Sequence, residues 1–183
     1  MSPAKIGYMK VVLLDRDGTA IVDPPDRRVD RVEKVRLLPN TIEALRYLAD
    51  HGFAIVFVTN QAGIAEGRIT QTEFAVIHDR VKALLAPSGV TILQTYVCPH
   101  GPEDKCDCRK PKPKLILQAL SEFNLDPEST YFVGDRQSDI MAGVNAGIKT
   151  VLVKTANVPV ESKEANYMAS NLLDAMKYVV AHS

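Results

Sequence analysis

Short apolar runs that are typical of buried β-strands alternate with amphipathic helical segments along this chain of 183 residues. The runs are rich in β-branched and aromatic residues and are bounded by turn-forming residues. Because consecutive parallel strands need a crossover connection, the alternation predicts an α/β fold with a doubly wound parallel sheet of about five strands and helices on both faces. The five predicted strands are Val11–Leu14, Ala54–Thr59, Ile92–Val97, Tyr131–Val133 and Thr150–Val153.

The segments between the predicted strands have the apolar spacing of helices that bury one face. Phe74, Ile77 and Val81 show this period, and a last helix is predicted to begin after Ser170 as its N-cap. Apolar residues make up 46% of the chain, which is enough for one core, so we expect residues 1–183 to form a single domain. The loops after the first four strands should open on one edge of the sheet, and none is long enough for a separate cap domain.

The charge balance argues against a protein that binds nucleic acid or a membrane surface. The 22 basic and 22 acidic residues cancel, and aromatic residues make up only 6% of the chain. No apolar stretch approaches the length of a membrane span, and Met1 to Lys10 lack the apolar core of a signal peptide. We therefore expect a cytoplasmic, monomeric protein whose partner is a small molecule.

The first predicted strand ends in two carboxylates two residues apart, Asp15 and Asp17, followed by Gly18 and Thr19. Open parallel sheets bind ligands at this edge. Two acids so close repel each other unless a cation lies between them, and Mg²⁺ is a natural partner for carboxylate oxygens. The alternative is a turn or a helix cap, where Asp and Gly are common.

Polar residues also follow the second and fourth predicted strands. Thr59, Asn60 and Gln61 offer a hydroxyl and two amides that suit phosphate oxygens, although such residues also form turns. Asp135 follows a glycine that lets the backbone approach closely, which favours it as a metal ligand. Asp139, one helical turn later, also fits an ordinary acid in the first turn of a helix. The predicted magnesium ligands are Asp15, Asp17 and Asp135.

All three cysteines lie in one loop, in the pattern C-x-H-x5-C-x-C. Three thiolates and one imidazole match a closed tetrahedral Zn²⁺ site, with a redox or catalytic cysteine as the alternative. Arg109 and Lys110 follow directly, in a basic run whose charge suits a phosphorylated substrate or, alternatively, a solvated surface. We expect zinc to hold these two cations in place. The predicted zinc ligands are Cys98, His100, Cys106 and Cys108.

Four segments, taken in order, resemble the four motifs of the haloacid dehalogenase (HAD) superfamily. They are Asp15-Arg16-Asp17-Gly18-Thr19, Thr59-Asn60, Lys110, and Gly134-Asp135 with Asp139. The resemblance covers Val11 to about Thr155. With the Cys/His loop and Cys108-Arg109-Lys110-Pro111, the chain is similar to a narrower branch. That branch contains D-glycero-D-manno-heptose 1,7-bisphosphate phosphatases and the phosphatase domain of histidinol-phosphate phosphatases.

The resemblance implies a phosphatase that works through an aspartyl-phosphate. Asp15 would attack phosphorus, and Asp17 would protonate the leaving alcohol and then activate water. Mg²⁺ would be held by the side chains of Asp15 and Asp135 and by the carbonyl of Asp17. Thr59 and Lys110 would bind the transferring phosphoryl group. Arg109 would bind the rest of the substrate.

The resemblance leaves more than one substrate open. Gln61–Gly67 and Cys98–Pro102 look like heptose bisphosphate phosphatases, whereas Asp23–Pro25, Val29–Arg31 and Lys112–Leu115 resemble histidinol-phosphate phosphatases. We favour D-glycero-D-manno-heptose 1,7-bisphosphate, cleaved at its 7-phosphate, with histidinol phosphate as the alternative. A DNA 3′-phosphatase and a zinc-ordered nucleic-acid binding module are further alternatives, against which the neutral net charge argues.

Overall fold

Six parallel strands form the central sheet of the computed structural model, which describes residues 9–155 and 161–183. The strands are β1 (Lys10–Leu14), β2 (Phe53–Asn60), β3 (Thr91–Cys98), β4 (Tyr131–Gly134), β5 (Lys149–Val153) and β6 (Tyr167–Ala169). Their spatial order is β3-β2-β1-β4-β5-β6, and every neighbouring pair is parallel. The predicted doubly wound α/β fold is thus confirmed.

The prediction of about five strands lacked β6. This strand has three residues, pairs with β5 at the edge of the sheet, and buries only Ala169. Three residues are too few to show the alternation of a half-buried strand, so the sequence pattern gave no sign of it. The five predicted strands match β1 to β5 to within one residue at each end.

Capping residues in the sequence account for where two of the helices begin. The side chain of Thr70 accepts a hydrogen bond from the N–H of Glu73, whose carboxylate accepts one from the N–H of Thr70. The last helix begins one residue later than predicted, because Asn171 and not Ser170 is its N-cap. No helix in the described ranges is both long and apolar enough to cross a membrane. The helices are α1 (Thr41–Asp50), α2 (Ala62–Ala65), α3 (Gln71–Leu85), α4 (Lys114–Glu122), α5 (Gln137–Asn145) and α6 (Leu172–Ala181).

Apolar side chains cover both faces of the sheet and form two clusters. In β1, Val12 and Leu14 belong to the cluster that includes residues of α1, α3 and α6. Val11 and Leu13 belong to the cluster on the other face, together with residues of α4 and α5. Each fully buried side chain of this size contributes roughly 1.5–3 kcal/mol to stability. β1 is therefore fixed in the middle of the molecule by both of its faces.

The carboxyl ends of β1, β2 and β4 lie side by side, because these strands are neighbours in the sheet. Leu14 pairs with Phe57 of β2 on one side and with Val133 of β4 on the other. The N–H of Asp15 continues the pairing by donating to the carbonyl of Val133 at 2.9 Å. The loops that follow these strands form the walls of any site at this edge.

α3 also places a buried histidine near this edge. The side chain of His78 is 8% exposed, its ring lies parallel to that of Phe74 with 5.9 Å between centroids, and its Nε2 lies 2.8 Å from Oγ1 of Thr95. Burial is the main cause that lowers the pKa of His78 to about 4, and the charges of Arg16 and Lys82 lower it further. His78 is therefore neutral in the folded protein at neutral pH.

We expect His78 to make folding sensitive to acid. Between about pH 6.5 and about pH 4, His78 binds a proton in the unfolded chain but not in the folded protein. The free energy of unfolding therefore decreases as the pH is lowered, by at most roughly 1.4 kcal/mol per pH unit. Above about pH 6.5 both states are neutral and the effect vanishes. Urea unfolding across this range should show a shallower pH slope for His78→Gln than for the wild type.

His51→Gln, at an exposed position, is the matched control and should keep the wild-type slope. An unchanged slope in His78→Gln would show that His78 carries none of the acid sensitivity.

Candidate active site

Residues from four segments meet in a cleft of about 500 Å³ at the carboxyl edge of the sheet. Asp135 is not among the residues that line the cleft, but its carboxylate lies beside those of Asp15 and Asp139. The sequence-predicted residues that line the cleft are Asp15, Asp17, Thr59, Asn60, Gln61, Arg109 and Lys110.

A buried ammonium group lies at the centre of this arrangement. Nζ of Lys110 is 2.5 Å from Oδ1 of Asp15, 2.7 Å from Oδ1 of Asp139 and 2.8 Å from the carbonyl oxygen of Val58. Lys110, Asp15 and Asp139 are each at most 5% exposed. Burial disfavours the charged form of Lys110, but the two carboxylates outweigh it and raise its pKa above the ordinary value. Lys110 is therefore a fixed positive charge.

Three carboxylates face this single cation. Atoms of Asp15, Asp135 and Asp139 all lie within 4.8 Å of one another. Burial, together with the neighbouring carboxylates, raises the pKa of Asp15 to about 8 against the opposing effect of Lys110, and it raises the pKa of Asp135 to about 6. Carboxyl groups this close can all be ionised only beside further positive charge, and their hard oxygen atoms fit a divalent cation such as Mg²⁺.

Asp139 belongs to this group, although the sequence did not predict it as a magnesium ligand. Its Oδ2 accepts a hydrogen bond from the N–H of Arg136 at 3.0 Å, as a first-turn acid does, while its Oδ1 contacts Lys110. Asp139 therefore acts as the first-turn acid of α5 and also belongs to the acidic group of the cleft. Its spacing of four residues from Asp135 was the available signal, but that spacing is shared by ordinary helix starts.

Gly18 allows the close approach of two loops at this point. Its φ is +93°, and a Cβ at this position would overlap the carboxylate of Asp135. The next residue, Thr19, is buried and donates from Oγ1 to Oδ1 of Asp135 at 3.2 Å. The Gly-Thr pair after the two acids thus brings the loop after β1 against the loop after β4.

The side chain of Asp17 does not join the three carboxylates. Its Oδ1 accepts from Nε of Arg16 at 2.8 Å, and its Oδ2 accepts from Nη2 of Arg16 at 2.9 Å and from Nε2 of Gln61 at 2.6 Å. Burial would raise the pKa of Asp17, but Arg16 and Gln61 outweigh it and lower the pKa. Asp17 is therefore ionised here, and its side chain is not placed to bind the same cation as Asp15.

Arg16 was not singled out in the sequence, because an arginine is seldom fully buried. Its side chain is 0% exposed, and its guanidinium group lies over the ring of Phe74, 4.9 Å from the centroid. The two parallel hydrogen bonds to Asp17 make a bidentate pair. Arg16 thus fixes the position of the second carboxylate in the Asp-x-Asp motif.

The two amides at the carboxyl end of β2, Asn60 and Gln61, bind different partners. Asn60 exchanges two hydrogen bonds with the main chain of Lys110: its Nδ2 donates to the carbonyl at 3.2 Å, and its Oδ1 accepts from the N–H at 3.1 Å. Nε2 of Gln61 donates to Asp17 and, at 2.9 Å, to Oγ1 of Thr59. Asn60 and Gln61 thus hold other residues of the site, and Thr59 keeps its hydroxyl hydrogen for another acceptor.

Two arginines line the cleft near the acidic group. Nη1 of Arg109 donates to the carbonyl of His100 at 2.9 Å, and Nη2 of Arg136 lies 2.5 Å from Oδ2 of Asp23. Burial opposes the charge of Arg136, but Asp135 and Asp23 outweigh it and raise its pKa. Arg136 was not predicted, although its place directly after Asp135 was a signal. Both cations suit an anionic substrate.

The four predicted zinc ligands come together in one group. Sγ of Cys98 lies 3.2 Å from Sγ of Cys108 and 3.9 Å from Sγ of Cys106. Nδ1 of His100 lies 3.3 Å from Sγ of Cys108 and 3.7 Å from Sγ of Cys98. A tetrahedral site with metal–sulfur bonds of 2.3 Å has sulfur atoms about 3.8 Å apart, so the donors fit a bound Zn²⁺.

The chemistry of the group also favours a metal over a redox pair. All three cysteines are free, and burial together with the neighbouring Cys108 raises the pKa of the Cys98 thiol to about 12. The three thiols can ionise together at this distance only when a cation compensates their charge, and four ligands would leave no open position on that cation. Cys108 directly precedes Arg109 and Lys110, so an ordered loop fixes where these cations enter the cleft.

Two relatives of this chain carry the same activity in their names. A HAD-hydrolase-like family model matches residues 107–175. The chain is 40% identical over 179 residues to the D-glycero-β-D-manno-heptose-1,7-bisphosphate 7-phosphatase of Pasteurella multocida, covering 93% of this chain and 96% of that protein. It is 36% identical over 173 residues to the enzyme of the same name from Escherichia coli K12, covering 89% and 90%.

A solved structure is similar over nearly the whole chain. It is that of a D,D-heptose 1,7-bisphosphate phosphatase from B. bronchiseptica, complexed with magnesium and phosphate. The TM-score is 0.86 at 28% identity, and the match covers 96% of this chain and 100% of the other.

The buried charge of Lys110 gives a prediction about stability. Lys110→Met leaves Asp15 and Asp139 without their cation, so we expect a loss of roughly 3 kcal/mol or more in the free energy of unfolding. Urea unfolding at about pH 7 with a chelator present measures it. Lys114→Met breaks the exposed ion pair with Asp107, also 2.7 Å long, and should cost less than about 1 kcal/mol. Equal losses in the two variants would contradict the assignment of Lys110 as the compensating charge.

Proposed function

Since the chain belongs to the D-glycero-D-manno-heptose-1,7-bisphosphate 7-phosphatases, within the HAD-like hydrolases, we propose that it hydrolyses the 7-phosphate ester of D-glycero-D-manno-heptose 1,7-bisphosphate. The observation that carries the proposal is the buried contact between Lys110 and Asp15, in a cleft that also contains Asp17 and Thr59. It brings together a nucleophile, a cation and a proton donor, as phosphoryl transfer through a covalent intermediate requires.

We propose that Asp15, Asp135 and Asp139 hold Mg²⁺, with the main-chain carbonyl of Asp17 as a further ligand. Three buried carboxylates beside one ammonium group support a divalent cation at this place. When bound, Mg²⁺ neutralises the charge of the phosphoryl oxygens and orients them. The similar structure from B. bronchiseptica contains magnesium and phosphate.

The first half of the reaction forms a covalent intermediate. A carboxylate oxygen of Asp15 attacks the phosphorus of the 7-phosphate, a P–O bond to Asp15 forms, and the bond between phosphorus and the sugar oxygen breaks. Lys110 opposes the rise in the pKa of Asp15 that burial causes, and so favours the ionised nucleophile. Hydrolysis of a phosphate monoester requires up to about 10²¹-fold acceleration, or about 29 kcal/mol. Fixed cations are suited to supply much of it.

Asp17 moves the proton in both halves. As the sugar oxygen leaves, protonated Asp17 gives it a proton and the alcohol departs. A water molecule then attacks the phosphorus of the aspartyl-phosphate, Asp17 takes the proton from this water, and the bond between phosphorus and Asp15 breaks. Inorganic phosphate leaves, and Asp17 is protonated for the next cycle. The hydrogen-bonded, ionised Asp17 of the structure corresponds to the base of the second half.

Two groups are assigned to the phosphate and one to the rest of the substrate. Thr59 and Lys110 both line the cleft and are at most 4% exposed: Thr59 offers its hydroxyl hydrogen to the transferring phosphoryl group, and Lys110 contributes its positive charge. Arg109 lines the cleft and offers its remaining guanidinium N–H groups to the substrate. The names of the relatives support the heptose bisphosphate over histidinol phosphate.

We propose Zn²⁺ for the group of Cys98, His100, Cys106 and Cys108, in a structural role. The short distances between its sulfur and nitrogen atoms support this assignment. The loop contains no helix or strand from the end of β3 to the start of α4. A bound metal supplies folding free energy to such a segment and fixes Arg109 and Lys110 beside the cleft.

We further propose that the protein acts in the cytoplasm, as a monomer, on a small phosphorylated metabolite and not on nucleic acid. Three free cysteines suit a reducing compartment, and the loops of one chain complete the cleft. The basic run after Cys108 finds its partners inside the protein: Lys110 contacts Asp15, Lys112 the carbonyl of Cys106, and Lys114 Asp107. Such cations are not free to bind a nucleic-acid backbone.

The substrate proposal is tested by phosphate release with Mg²⁺ from both anomers of the heptose 1,7-bisphosphate, from histidinol phosphate and from a 3′-phosphorylated oligonucleotide. We expect kcat/KM to favour a heptose ester by about 100-fold or more. Asp15→Asn is the control against contaminating phosphatases. It should lose about 10³-fold or more in kcat while keeping the wild-type circular dichroism spectrum. Preference for either of the other esters would overturn the assignment.

The zinc proposal predicts about one tightly bound zinc per chain in freshly purified, reduced protein, measured by elemental analysis. His100→Ala should lose the metal and unfold at a lower temperature, because the loop then lacks a ligand. His182→Ala, which changes an exposed histidine, should retain both the metal and the wild-type Tm. Protein without zinc at wild-type stability would contradict a structural metal.

A further inference from the structure

The side chain of Gln61 connects two residues that act on different parts of the substrate. Its Nε2 donates to Oδ2 of Asp17 at 2.6 Å and to Oγ1 of Thr59 at 2.9 Å. The residue is 7% exposed, and its own N–H donates to the carbonyl of Cys98 at 2.7 Å. The amide is therefore held from both its main chain and its side chain.

The direction of these hydrogen bonds follows from the chemistry of the partners. An ionised carboxylate can only accept, so the amide nitrogen of Gln61, and not its oxygen, must face Asp17. An amide nitrogen has two hydrogens, and the two short contacts use both of them. The oxygen of Thr59 is thus an acceptor in its contact with Gln61.

The hydroxyl group of Thr59 is left as a hydrogen-bond donor toward the cleft. A hydroxyl group has one hydrogen, and an oxygen that accepts from Gln61 directs that hydrogen elsewhere. Thr59 is buried at the floor of the cleft, and it lines the space that the phosphate would enter. Gln61 therefore sets the Thr59 hydroxyl as a donor toward a phosphoryl oxygen before substrate arrives.

Asp17 is constrained in the same way. Its Oδ2 accepts two hydrogen bonds, from Arg16 and Gln61, and has no further position for an acceptor bond. Its Oδ1 accepts one, from Nε of Arg16, and keeps one position. Oδ1 is therefore the atom that is available to carry the proton.

We propose that Gln61 is a positioning residue that orients the proton-transfer group Asp17 and the phosphate-binding hydroxyl of Thr59 together, leaving Oδ1 of Asp17 as the proton-transfer atom. This rests on the proposed phosphatase function, and it differs from the sequence prediction that Gln61 binds phosphate itself. Asn60 does not share the role, because both ends of its amide are bound to the main chain of Lys110.

The test compares two leaving groups in Gln61→Met, which removes both donors but adds no charge. With heptose 1,7-bisphosphate, whose alkoxide needs a proton, we expect kcat to fall by about 100-fold. With p-nitrophenyl phosphate, whose leaving group needs almost none, the fall should be about tenfold, from the Thr59 contribution alone. A purely structural role for Gln61 predicts equal losses on the two esters, and that result would overturn the inference.

A double-mutant cycle adds a second criterion. In an Asp17→Asn background, Gln61→Met should lower the rate on heptose 1,7-bisphosphate by only about tenfold more, because the part that acts through Asp17 is already lost. If Gln61→Met lowers the rate by the same factor in the Asp17→Asn background as in the wild type, the proposal is contradicted. Gln118→Met, on the exposed face of α4, is the matched control and should leave both rates unchanged.

A folding defect in the variant and a failure of the proposed function give different results. If Gln61→Met does not keep the wild-type circular dichroism spectrum, Gln61→Leu, which also removes both donors without adding charge, replaces it in the same comparison and should show the same unequal losses. If the wild-type protein releases no phosphate from either ester, the proposed function fails, and this inference fails with it. Turnover by the wild type with equal losses in the variant overturns the inference alone.

Discussion

The ammonium group of Lys110, buried between Asp15 and Asp139, is the interaction on which the site depends. It joins residues 95 positions apart in the sequence and compensates part of the charge of three carboxylates that would otherwise repel one another. A buried ion pair gains little net stability, because desolvation opposes it, but removing one partner is costly. The surroundings accordingly fix Lys110: Asn60 holds its main chain from β2, and the Cys/His loop leads directly into it.

The same physical logic separates the two acids of the Asp-x-Asp motif. They are neighbours in the sequence, yet burial among carboxylates raises the pKa of Asp15, whereas Arg16 and Gln61 lower that of Asp17. Two carboxyl groups with opposite surroundings can take two roles, one as a nucleophile beside a metal and the other as a carrier of protons. The division comes from the side chains that the fold brings to each acid and not from the acids themselves.

Much of this could be predicted from the sequence, because its strongest signals are local. Continuous apolar runs locate β1 to β5, and motif spacing locates Asp15, Asp17, Asp135 and the Cys/His group. Features that depend on residues far apart in the sequence could not be predicted. The amide of Asn60 pairs with a main chain 50 residues away, and β6 is too short to form a pattern. The complete burial of Arg16 also runs against its ordinary surface preference.

The strand order has a consequence for how the chain is made. β1 lies between β2 and β4, so one of its edges has no partner until residues 131–134 have left the ribosome. Until then, a strand that is apolar on both faces presents free N–H and C=O groups, which are a template for pairing with other chains. A nascent or truncated chain that ends before β4 is therefore exposed to aggregation, and the solubility of its amino-terminal half depends on the half that is synthesised last.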